Sequence, residues 1–278
     1  MIVTSSIGMA HHAKLYARTY GFDYVPVEKS REFKDIYQFG IYEYEDYENI
    51  KSRKEGRVIL HWCGSDIFSF SRRVRLNKFT ADFGSNVLHF THSSKQRALI
   101  KELLGIDTTA MTRFNDDRNK YQVTDLPTKF TPLVYYDTSR AKQFGLKEIM
   151  SVIKQSTFDF ILLGKKDQWE DRKNIKWIEP ISLLEESEKY IELLKSCSCL
   201  LRFDKQGTEG FSQMVMQMFL LGRRVISNTV IPFVTITEPS IERIARSLYQ
   251  VSQLTTSVAD AATYYREMPI FDLKEYMH

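Results

Sequence analysis

The loop DKQGTEGFS at residues 204–212 leads into the helical segment QMVMQMFLL, and its residue types suit a bound anion. Its glycines, Gly210 among them, allow a tight turn and a close approach of backbone to ligand. Free N–H groups at the start of the helix, near Phe211 and Ser212, favour a phosphate group. Glu209 adds negative charge beside that site. It is explained either as a helix-capping residue or as an acceptor of hydrogen bonds from sugar hydroxyls.

The elements that position this loop alternate between short apolar strands and amphipathic helices. This alternation predicts parallel β-α-β units, and so an α/β fold with open, doubly wound sheets. Pro239 is expected at the first position of the last helix. The predicted strands are 2–6, 57–62, 86–91, 132–137, 159–164, 175–178, 199–203 and 223–228, and the predicted helices include 95–105, 145–156, 183–197 and 238–254.

The polar segment 112–131 interrupts this alternation and contains Pro127. It is interpreted as a crossover between two domains. The sequence therefore predicts an N-terminal domain over 1–125, a second domain over 126–240 and a C-terminal helical segment over 241–278. In open α/β sheets, ligands bind beyond the carboxyl ends of the strands, so the loops after the strands are the candidate sites.

The composition is that of an ordinary globular protein with a mildly basic balance. The chain has 278 residues, 43% of them hydrophobic, and a net charge of +4, which permits a polyanionic partner without requiring one. Three cysteines argue against a disulfide framework and for a reducing compartment. The N-terminus does not resemble a signal peptide, and no apolar run approaches the ~18 residues of a membrane-spanning helix. We expect a cytoplasmic protein.

The segment EGFSQMVMQMFLLGRRVISN at 209–228 resembles the donor-site motif of the retaining Glu-x7-Glu family of nucleotide-sugar glycosyltransferases. The second Glu of that motif is replaced by Gln217, and the family's Pro by Arg224. The resemblance implies a GT-B fold, with two Rossmann-like domains facing a central cleft and a C-terminal helix that crosses back. The matching residues are Glu209, Gly210, Phe211, Gly222, Val225, Ile226 and Ser227.

Four further segments resemble family motifs and occur in the family's order: HWCGSDI at 61–67, NVLHFTHSSKQRALIKELLG at 86–105, AKQFGLKEIM at 141–150 and FILLGKKD at 160–167. The last of them ends its strand at Gly164. The resemblance thus extends over roughly residues 58–228, and it makes Gly164 a candidate donor-binding residue.

The resemblance assigns the donor to the second domain. Glu209 is implied to bind the donor sugar, and the backbone at Gly210, Phe211 and Ser212 to hold the diphosphate. Gln217 is implied to bind the ribose hydroxyls without the charge that strengthens such bonds.

The resemblance also implies fixed cations beside the leaving diphosphate, on which negative charge develops during transfer. Lys142 aligns with the Lys of the family. The family's Arg falls near Asp137, so Arg140 is the nearest candidate.

His61 and Asp66 are candidate catalytic residues of the first domain. Their alternative interpretations are a strand-end His and a helix-capping Asp. Gly8 is a candidate for a close approach of its loop to the donor phosphates, and His11 and His12 for contacts on the acceptor side.

A metal is not expected, because the chain contains no D-x-D motif. Retaining GT-B enzymes rely on helix dipoles and basic side chains, so the resemblance implies a metal-independent mechanism whose only small-molecule requirement is the donor, with a UDP-sugar favoured. A zinc site built from His61, Cys63, Cys197 and Cys199 is the competing possibility, but the spacing matches no zinc signature.

The acceptor is suggested by a basic stretch. Residues 51–78 contain eight basic residues against two acidic ones. Arg72, Arg73 and Arg75 are the candidate contacts with double-stranded DNA. A solvated face, or a surface that rests on anionic lipid, is the alternative interpretation.

The short chain, rich in Lys, Tyr and Phe, is also similar to T-even-type bacteriophage enzymes that glycosylate hydroxymethylcytosine in DNA. A hydroxymethylated or already glucosylated DNA base is therefore the favoured acceptor, in a host cytoplasm. A transferase for surface polysaccharide, glycolipid or teichoic-type polymer stays open, as does a catalytically weak GT-B protein that binds nucleotide sugars.

Overall fold

The computed structural model describes residues 1–166, 172–205 and 212–277, which fold into two α/β units. Unit 1 comprises residues 1–117 and 269–277. Unit 2 lies between Arg118 and Met268. Within the described residues, each unit holds one six-stranded sheet in which all neighbouring strands are parallel. The prediction of an α/β fold with doubly wound parallel sheets is confirmed.

The sheet of unit 1 has the strand order β2-β1-β3-β4-β5-β6. Its strands are β1 (Ile2–Ser5), β2 (Tyr24–Pro26), β3 (Ile36–Phe39), β4 (Val58–His61), β5 (Val87–Thr91) and β6 (Thr109–Ala110). Strands β1, β3 and β4 are buried along their whole length, as the apolar runs of a sheet covered on both faces require. Strand β3 was not predicted, because Gln38 interrupts its apolar run. In the folded unit the Gln38 amide donates to Asp46 Oδ1 at 2.8 Å.

Alternate residues of these strands enter two separate cores. Leu60 belongs to one core and Ile59 to the other, as expected when successive side chains of a strand point to opposite faces. The helices that cover the sheet are α1 (Ala10–Tyr20), α2 (Tyr44–Lys51), α3 (Ser65–Arg75) and α4 (Ser94–Leu104). Only α4 was predicted. It begins where the Ser93 side chain accepts from the Gln96 N–H and ends at Gly105, whose φ of 71° lies in the left-handed region that favours glycine.

The sheet of unit 2 has the strand order β12-β11-β10-β7-β8-β9. Its strands are β7 (Pro132–Tyr135), β8 (Phe160–Leu163), β9 (Ile175–Ile178), β10 (Cys199–Leu201), β11 (Arg224–Ser227) and β12 (Thr235–Ile236). The strand order reverses between β7 and β10, the two central strands. All but the two-residue β12 were predicted, because each is a short apolar run bounded by polar residues or turn residues.

The helices of unit 2 pack on both faces of this sheet. They are α5 (Ala141–Phe144), α6 (Leu146–Gln155), α7 (Ser187–Lys195), α8 (Gln213–Leu220), α9 (Ile241–Ser252) and α10 (Ala259–Glu267). Pro239 was expected at the first position of the last helix, but α9 begins two residues later, at Ile241. The Ser240 side chain caps α9 by accepting from the Arg243 N–H, so the proline lies just before the cap and not inside the helix.

The division of the chain differs from the predicted boundaries. Unit 2 begins at Arg118, ahead of the predicted residue 126, because Arg223 binds the segment around Thr124 to unit 2. The C-terminal helices α9 and α10 also belong to unit 2. Only the residues from Pro269 return to unit 1, where the Phe271 N–H donates to Thr112 O at 2.8 Å and Arg57 donates to Tyr276 O.

Candidate functional site

The carboxyl edge of the unit 2 sheet contains the point where the strand order reverses, between β7 and β10. The loops that leave these two strands there diverge to opposite faces of the sheet, which creates a crevice where ligands of such sheets bind. The described residues of this edge are 136–140 after β7 and 202–205 after β10. They form the candidate donor site within unit 2.

The loop after β10 is held by its neighbours. Asn228, which follows β11, accepts from the Asp204 N–H at 2.8 Å and donates to Asp204 O at 3.0 Å. The Lys205 N–H donates to Gln143 O at 2.9 Å, and Lys205 Nζ lies 2.8 Å from Glu148 Oε1. The backbone is therefore fixed up to the start of the glycine-rich loop. Glu209, Gly210 and Phe211, which carry the predicted sugar and diphosphate contacts, lie outside the described residues.

Ser212 stands at the N-cap position of α8, with extended backbone angles of φ −71° and ψ 133°. Its side chain makes no capping hydrogen bond. The predicted diphosphate contact at this residue uses its backbone, and it stays a prediction.

The two predicted cations follow β7. Arg140 lies in a 3-10 turn, with its Nε 3.7 Å from Asp137 Oδ2. Asp137 caps that turn, because its carboxylate accepts from the N–H and hydroxyl of Ser139 at 3.0 and 2.6 Å. Lys142, in α5, is exposed and makes no ion pair with any described residue. The fold thus places both cations in the loop and short helix that follow β7, at the candidate donor site.

Gly164 follows β8, and its backbone lies against that of Tyr136. A Cβ built at this position would lie 1.9 Å from Tyr136 O, so any side chain would force the strands apart. Its N–H donates to Ile178 O at 2.9 Å. Sheet packing alone therefore accounts for this glycine, and its predicted contact with the donor stays a prediction.

Gln217 is buried inside unit 2 between two tyrosines, with 2% of its surface exposed. Its Oε1 accepts from the Tyr190 hydroxyl at 3.0 Å, and its Nε2 donates to the Tyr121 hydroxyl at 2.9 Å. Both polar atoms of the amide are thus engaged by protein groups. This arrangement gives the replacement of the motif's second Glu a structural reason and offers no described contact that supports ribose binding.

In unit 1, Asp66 organises the carboxyl ends of β3 and β4. It is fully buried, and its carboxylate accepts from four backbone N–H groups, those of Ile41, Cys63, Gly64 and Ile67, at 2.8–3.2 Å. Burial raises its pKa to about 6, although these hydrogen bonds favour the charged form. The contacts are those of a residue that holds two loops together, and none of them supports the predicted catalytic role.

His61 ends β4 and is also fully buried. Its Nδ1 lies 3.0 Å from the Tyr37 hydroxyl, and its ring centroid lies 4.6 Å from that of His92. Nε2 has no hydrogen-bond partner among the described residues. Burial, together with His92 and Arg113, holds the pKa of His61 well below its usual value, so the ring is neutral at pH 7.

Arg113 was not predicted as a site residue, yet it lies at the centre of this cluster and is 2% exposed. Its Nε donates to Asn115 Oδ1 at 2.8 Å, and Nη2 lies 3.6 Å from Cys63 Sγ. The guanidinium carbon lies 3.7 Å from the centroid of the Phe39 ring. The local sequence, TRFNDDRN, has no periodicity that distinguishes this arginine from a solvated one.

The N-terminal candidates lie after β1. Gly8 is exposed in a 3-10 turn, and a Cβ there would meet no atom within 4 Å, so packing does not require this glycine. His11 and His12 lie in the first turn of α1. Asn115, which also binds Arg113, places its Nδ2 3.4 Å from His12 Nδ1. The predicted roles of these three residues stay predictions.

Arg72, Arg73 and Arg75 lie in the last turns of α3, where Arg72 and Arg75 are exposed. The guanidinium of Arg73 lies 5.2 Å from the Phe79 ring centroid. Together with Lys78, which is exposed just after the helix, these residues form a basic surface that we name the α3 surface. Among the described residues, none of the four forms an ion pair.

The buried histidines make the stability of the protein depend on pH. The pKa values of His61 and His92 in the folded protein lie far below the value near 6.5 that histidine has in an unfolded chain. As the pH falls toward and below 6.5, these two side chains therefore bind protons only in the unfolded state. Each histidine then lowers the free energy of unfolding by up to about 1.4 kcal/mol per pH unit as the pH falls. Asp66 acts in the opposite direction below about pH 6.

We expect His61→Asn and His92→Asn each to flatten the dependence on pH of the free energy of unfolding, measured with urea between pH 7 and 6. Equal slopes in all three proteins would contradict this.

The described residues contain no group of three or more His, Cys, Asp or Glu that could hold a metal ion. No described helix combines the length and the apolar character needed to cross a membrane.

No protein-family model matches the chain, and no curated protein matches it by sequence. Solved structures do match. The lipopolysaccharide outer core galactosyltransferase WaaB has a TM-score of 0.61 and 11% identity over 96% of this chain and 95% of its own. WaaG, a glycosyltransferase involved in lipopolysaccharide biosynthesis, has a TM-score of 0.60 and 12% identity over 99% and 98%. Sucrose-phosphate synthase from Thermosynechococcus elongatus has a TM-score of 0.61 and 10% identity over 91% and 77%.

Identities of 10–12% establish likeness of fold. The two Rossmann-like units have the architecture of GT-B glycosyltransferases, as the sequence motifs implied. The protein therefore has the GT-B fold.

Proposed function

We propose that the protein is a glycosyltransferase of the hexosyl- or pentosyl-transferring class that moves a sugar from a nucleotide-diphosphate donor to an acceptor hydroxyl. The main support is the GT-B fold, which the chain shares with two sugar transferases over 95% or more of both chains. The motif that begins at Glu209 supports retention of configuration and a donor site in unit 2. The donor is a UDP-sugar, and the mechanism is metal-independent.

The favoured acceptor is a hydroxymethylated or already glucosylated base of double-stranded phage DNA. The α3 surface supports this choice, because it gathers four cations at one end of a helix, none of them paired with a carboxylate of the described residues, and such a group attracts a phosphate backbone. Arg73 is held against Phe79, so part of the surface is ordered before DNA binds.

A nucleotide-release assay tests the function. UDP and GDP release from their sugars is measured with no acceptor, with hydroxymethylated DNA and with glucosylated DNA. Release stimulated by one of these DNAs is expected. Release that no DNA stimulates would support a glycosyltransferase but contradict DNA as its acceptor. No release from any donor would favour a protein that binds nucleotide sugars without turnover.

The α3 surface gives a separate prediction. Replacing Arg72 and Arg75 with glutamine should lower the magnitude of the slope of log affinity for DNA against log salt by about 2, because two phosphate contacts are lost. Fluorescence anisotropy with a labelled duplex between 50 and 200 mM salt measures this slope.

The matched control replaces Lys173 and Lys176 with glutamine. It removes the same charge from exposed positions in unit 2, before and within β9. An equal loss of slope in both double variants would show that only net charge matters and would contradict a DNA contact at α3.

A second candidate acceptor is a lipid-linked or surface glycan. Two observations favour it. WaaB is a lipopolysaccharide outer core galactosyltransferase and WaaG acts in lipopolysaccharide biosynthesis. The exposed apolar residues Phe68 and Leu76 lie in α3 and directly after it, on the helix that carries the α3 surface. This candidate predicts nucleotide release that lipid-linked or soluble glycans stimulate and DNA does not.

A further inference from the structure

The segment between β11 and β12 forms an apolar loop at the carboxyl edge of the unit 2 sheet. It leaves β11, the neighbour of β10, so it lies at the ligand-binding edge beside the candidate donor site. Asn228, at its start, makes two hydrogen bonds with the backbone of Asp204. The sequence from Val225 to Thr237 has no charged side chain, and Val230 is 78% exposed. The loop therefore offers a ligand apolar contact and no charge.

Phe233 stands where a turn normally has glycine. The Val234 N–H donates to Ile231 O at 3.4 Å, with Pro232 and Phe233 between them. This is the arrangement of a type II turn, whose third position requires a positive φ and usually holds glycine. Phe233 has a φ of 66°. The Tyr265 hydroxyl fixes the turn by donating to Pro232 O at 2.7 Å. A bulky residue is disfavoured in this conformation, so the turn does not account for the aromatic ring.

Burial does not account for the ring either. Phe233 is 45% exposed, and Tyr264, whose ring centroid lies 5.6 Å from that of Phe233, is 43% exposed. The buried Tyr265 supports both rings, with centroid distances of 5.0 Å to Tyr264 and 6.4 Å to Phe233. The aromatic pair of Phe233 and Tyr264 is thus held on one side by protein and leaves much of its surface to solvent. Such exposed aromatic surface at the ligand end of a sheet is typical of a binding site.

The chemistry of the aromatic pair suits a sugar ring. The C–H groups of a hexose carry partial positive charge, so the negative face of an aromatic ring attracts them, and dispersion adds to the contact. A base inside a duplex has both faces covered, and it reaches such a pair only after a costly unstacking. A hexose on the hydroxymethyl group of cytosine instead projects into the major groove, which the C5 side of a pyrimidine faces. Its C–H groups are accessible there.

We infer that the aromatic pair of Phe233 and Tyr264 binds a hexose that the acceptor already carries, and that the glucosylated DNA base is therefore preferred to the hydroxymethylated one. This inference rests on the proposed glycosyltransferase function. Phe233 determines acceptor specificity through contact with a ring that takes no part in bond breaking. Its loss should therefore change the KM for the acceptor far more than kcat.

Nucleotide release from UDP-glucose, measured with a glucosylated and with a hydroxymethylated duplex, tests this contact in the wild-type protein and in Phe233→Gly. Glycine adopts the positive φ freely, so this variant keeps the turn and removes only the ring. The KM for the glucosylated duplex should rise about 5- to 50-fold, with little change in kcat. The KM for the hydroxymethylated duplex should change much less, because that duplex has no hexose.

Two further variants separate this role from a structural one. Phe233→Tyr keeps an aromatic ring and should restore most of the affinity for the glucosylated duplex. Tyr249→Ala removes an aromatic side chain that is 64% exposed in α9, outside the loop, and should leave both KM values at those of the wild-type protein. Thermal unfolding midpoints establish that each variant is folded.

A wild-type KM for the glucosylated duplex in folded Phe233→Gly would overturn the inference, as would an equal rise with both duplexes. If a soluble or lipid-linked glycan stimulated release and DNA did not, a raised KM for that glycan in Phe233→Gly would support the hexose contact and contradict DNA as its source. If the wild-type protein released no nucleotide from any donor, the proposed function would itself be wrong, and the inference would fall with it.

Discussion

Replacing Arg223 with methionine should lower the free energy of unfolding by about 3–5 kcal/mol, because it removes five hydrogen bonds that a fully buried guanidinium donates. Arg223 is fully buried. It donates to Thr124 O and Thr124 Oγ1, both at 2.7 Å, and to the carbonyls of Asp125 and Lys195, both at 2.9 Å. A fifth bond reaches Leu221 O at 3.0 Å. The side chain thus joins the segment that enters unit 2 to the ends of two of its helices.

Urea unfolding monitored by circular dichroism measures the loss. Arg224→Met is the matched control at the neighbouring position. Arg224 is only partly buried, and the one hydrogen bond described for its side chain, from Nη2 to Thr256 O at 3.3 Å, lies at the surface. We expect a loss below about 1 kcal/mol for this control. Similar losses in the two variants would show that the buried network around Arg223 does not determine the stability of unit 2.

Replacing Glu209 with alanine should abolish sugar transfer and leave the protein folded. The resemblance makes Glu209 the acceptor of hydrogen bonds from the donor sugar, and interactions that orient a reacting group commonly contribute at least about 10²-fold to turnover. Glu209→Gln should retain part of the activity, since the amide oxygen still accepts a hydrogen bond but carries no charge. Nucleotide release with the best acceptor from the screen gives kcat and KM for each variant.

Glu188→Ala provides the comparison for Glu209→Ala. Glu188 is exposed in the first turn of α7, so its loss removes the same charge from unit 2 without touching the glycine-rich loop. It should show wild-type turnover. Wild-type turnover in Glu209→Ala would refute the assigned role, and an unfolded Glu209→Ala would mean that the residue is structural.

Parallel strands were largely predictable because each carries its own local signal. PLVY, FILL and CLL are short apolar runs, and they form β7, β8 and β10. Strand β3 escaped prediction because Gln38 lies in the middle of it. Its amide is satisfied by Asp46, a contact that exists only once α2 has packed against the sheet.

The candidate site was only partly predictable, for a related reason. The loops after the strands were correctly expected at the carboxyl edges of the sheets, and Arg140 and Lys142 lie in the segment that follows β7 there. Gln217 had the right type for a ligand-binding residue, but the fold seals it between Tyr121 and Tyr190. Partners so far apart in the chain leave no periodic signal.

The sequence by itself indicated the α/β class through its alternation of strands and helices, and it contains the glycine-rich loop whose motif resembles a donor site. These features depend on hydrophobic period and turn residues, which act over a few positions. The tertiary structure decided which charges are available. In the folded chain the buried carboxylate of Asp66 accepts hydrogen bonds from backbone N–H groups, and His61, His92 and Arg113 lie in one cluster. Desolvation and pairing depend on neighbours that only the folded chain brings together.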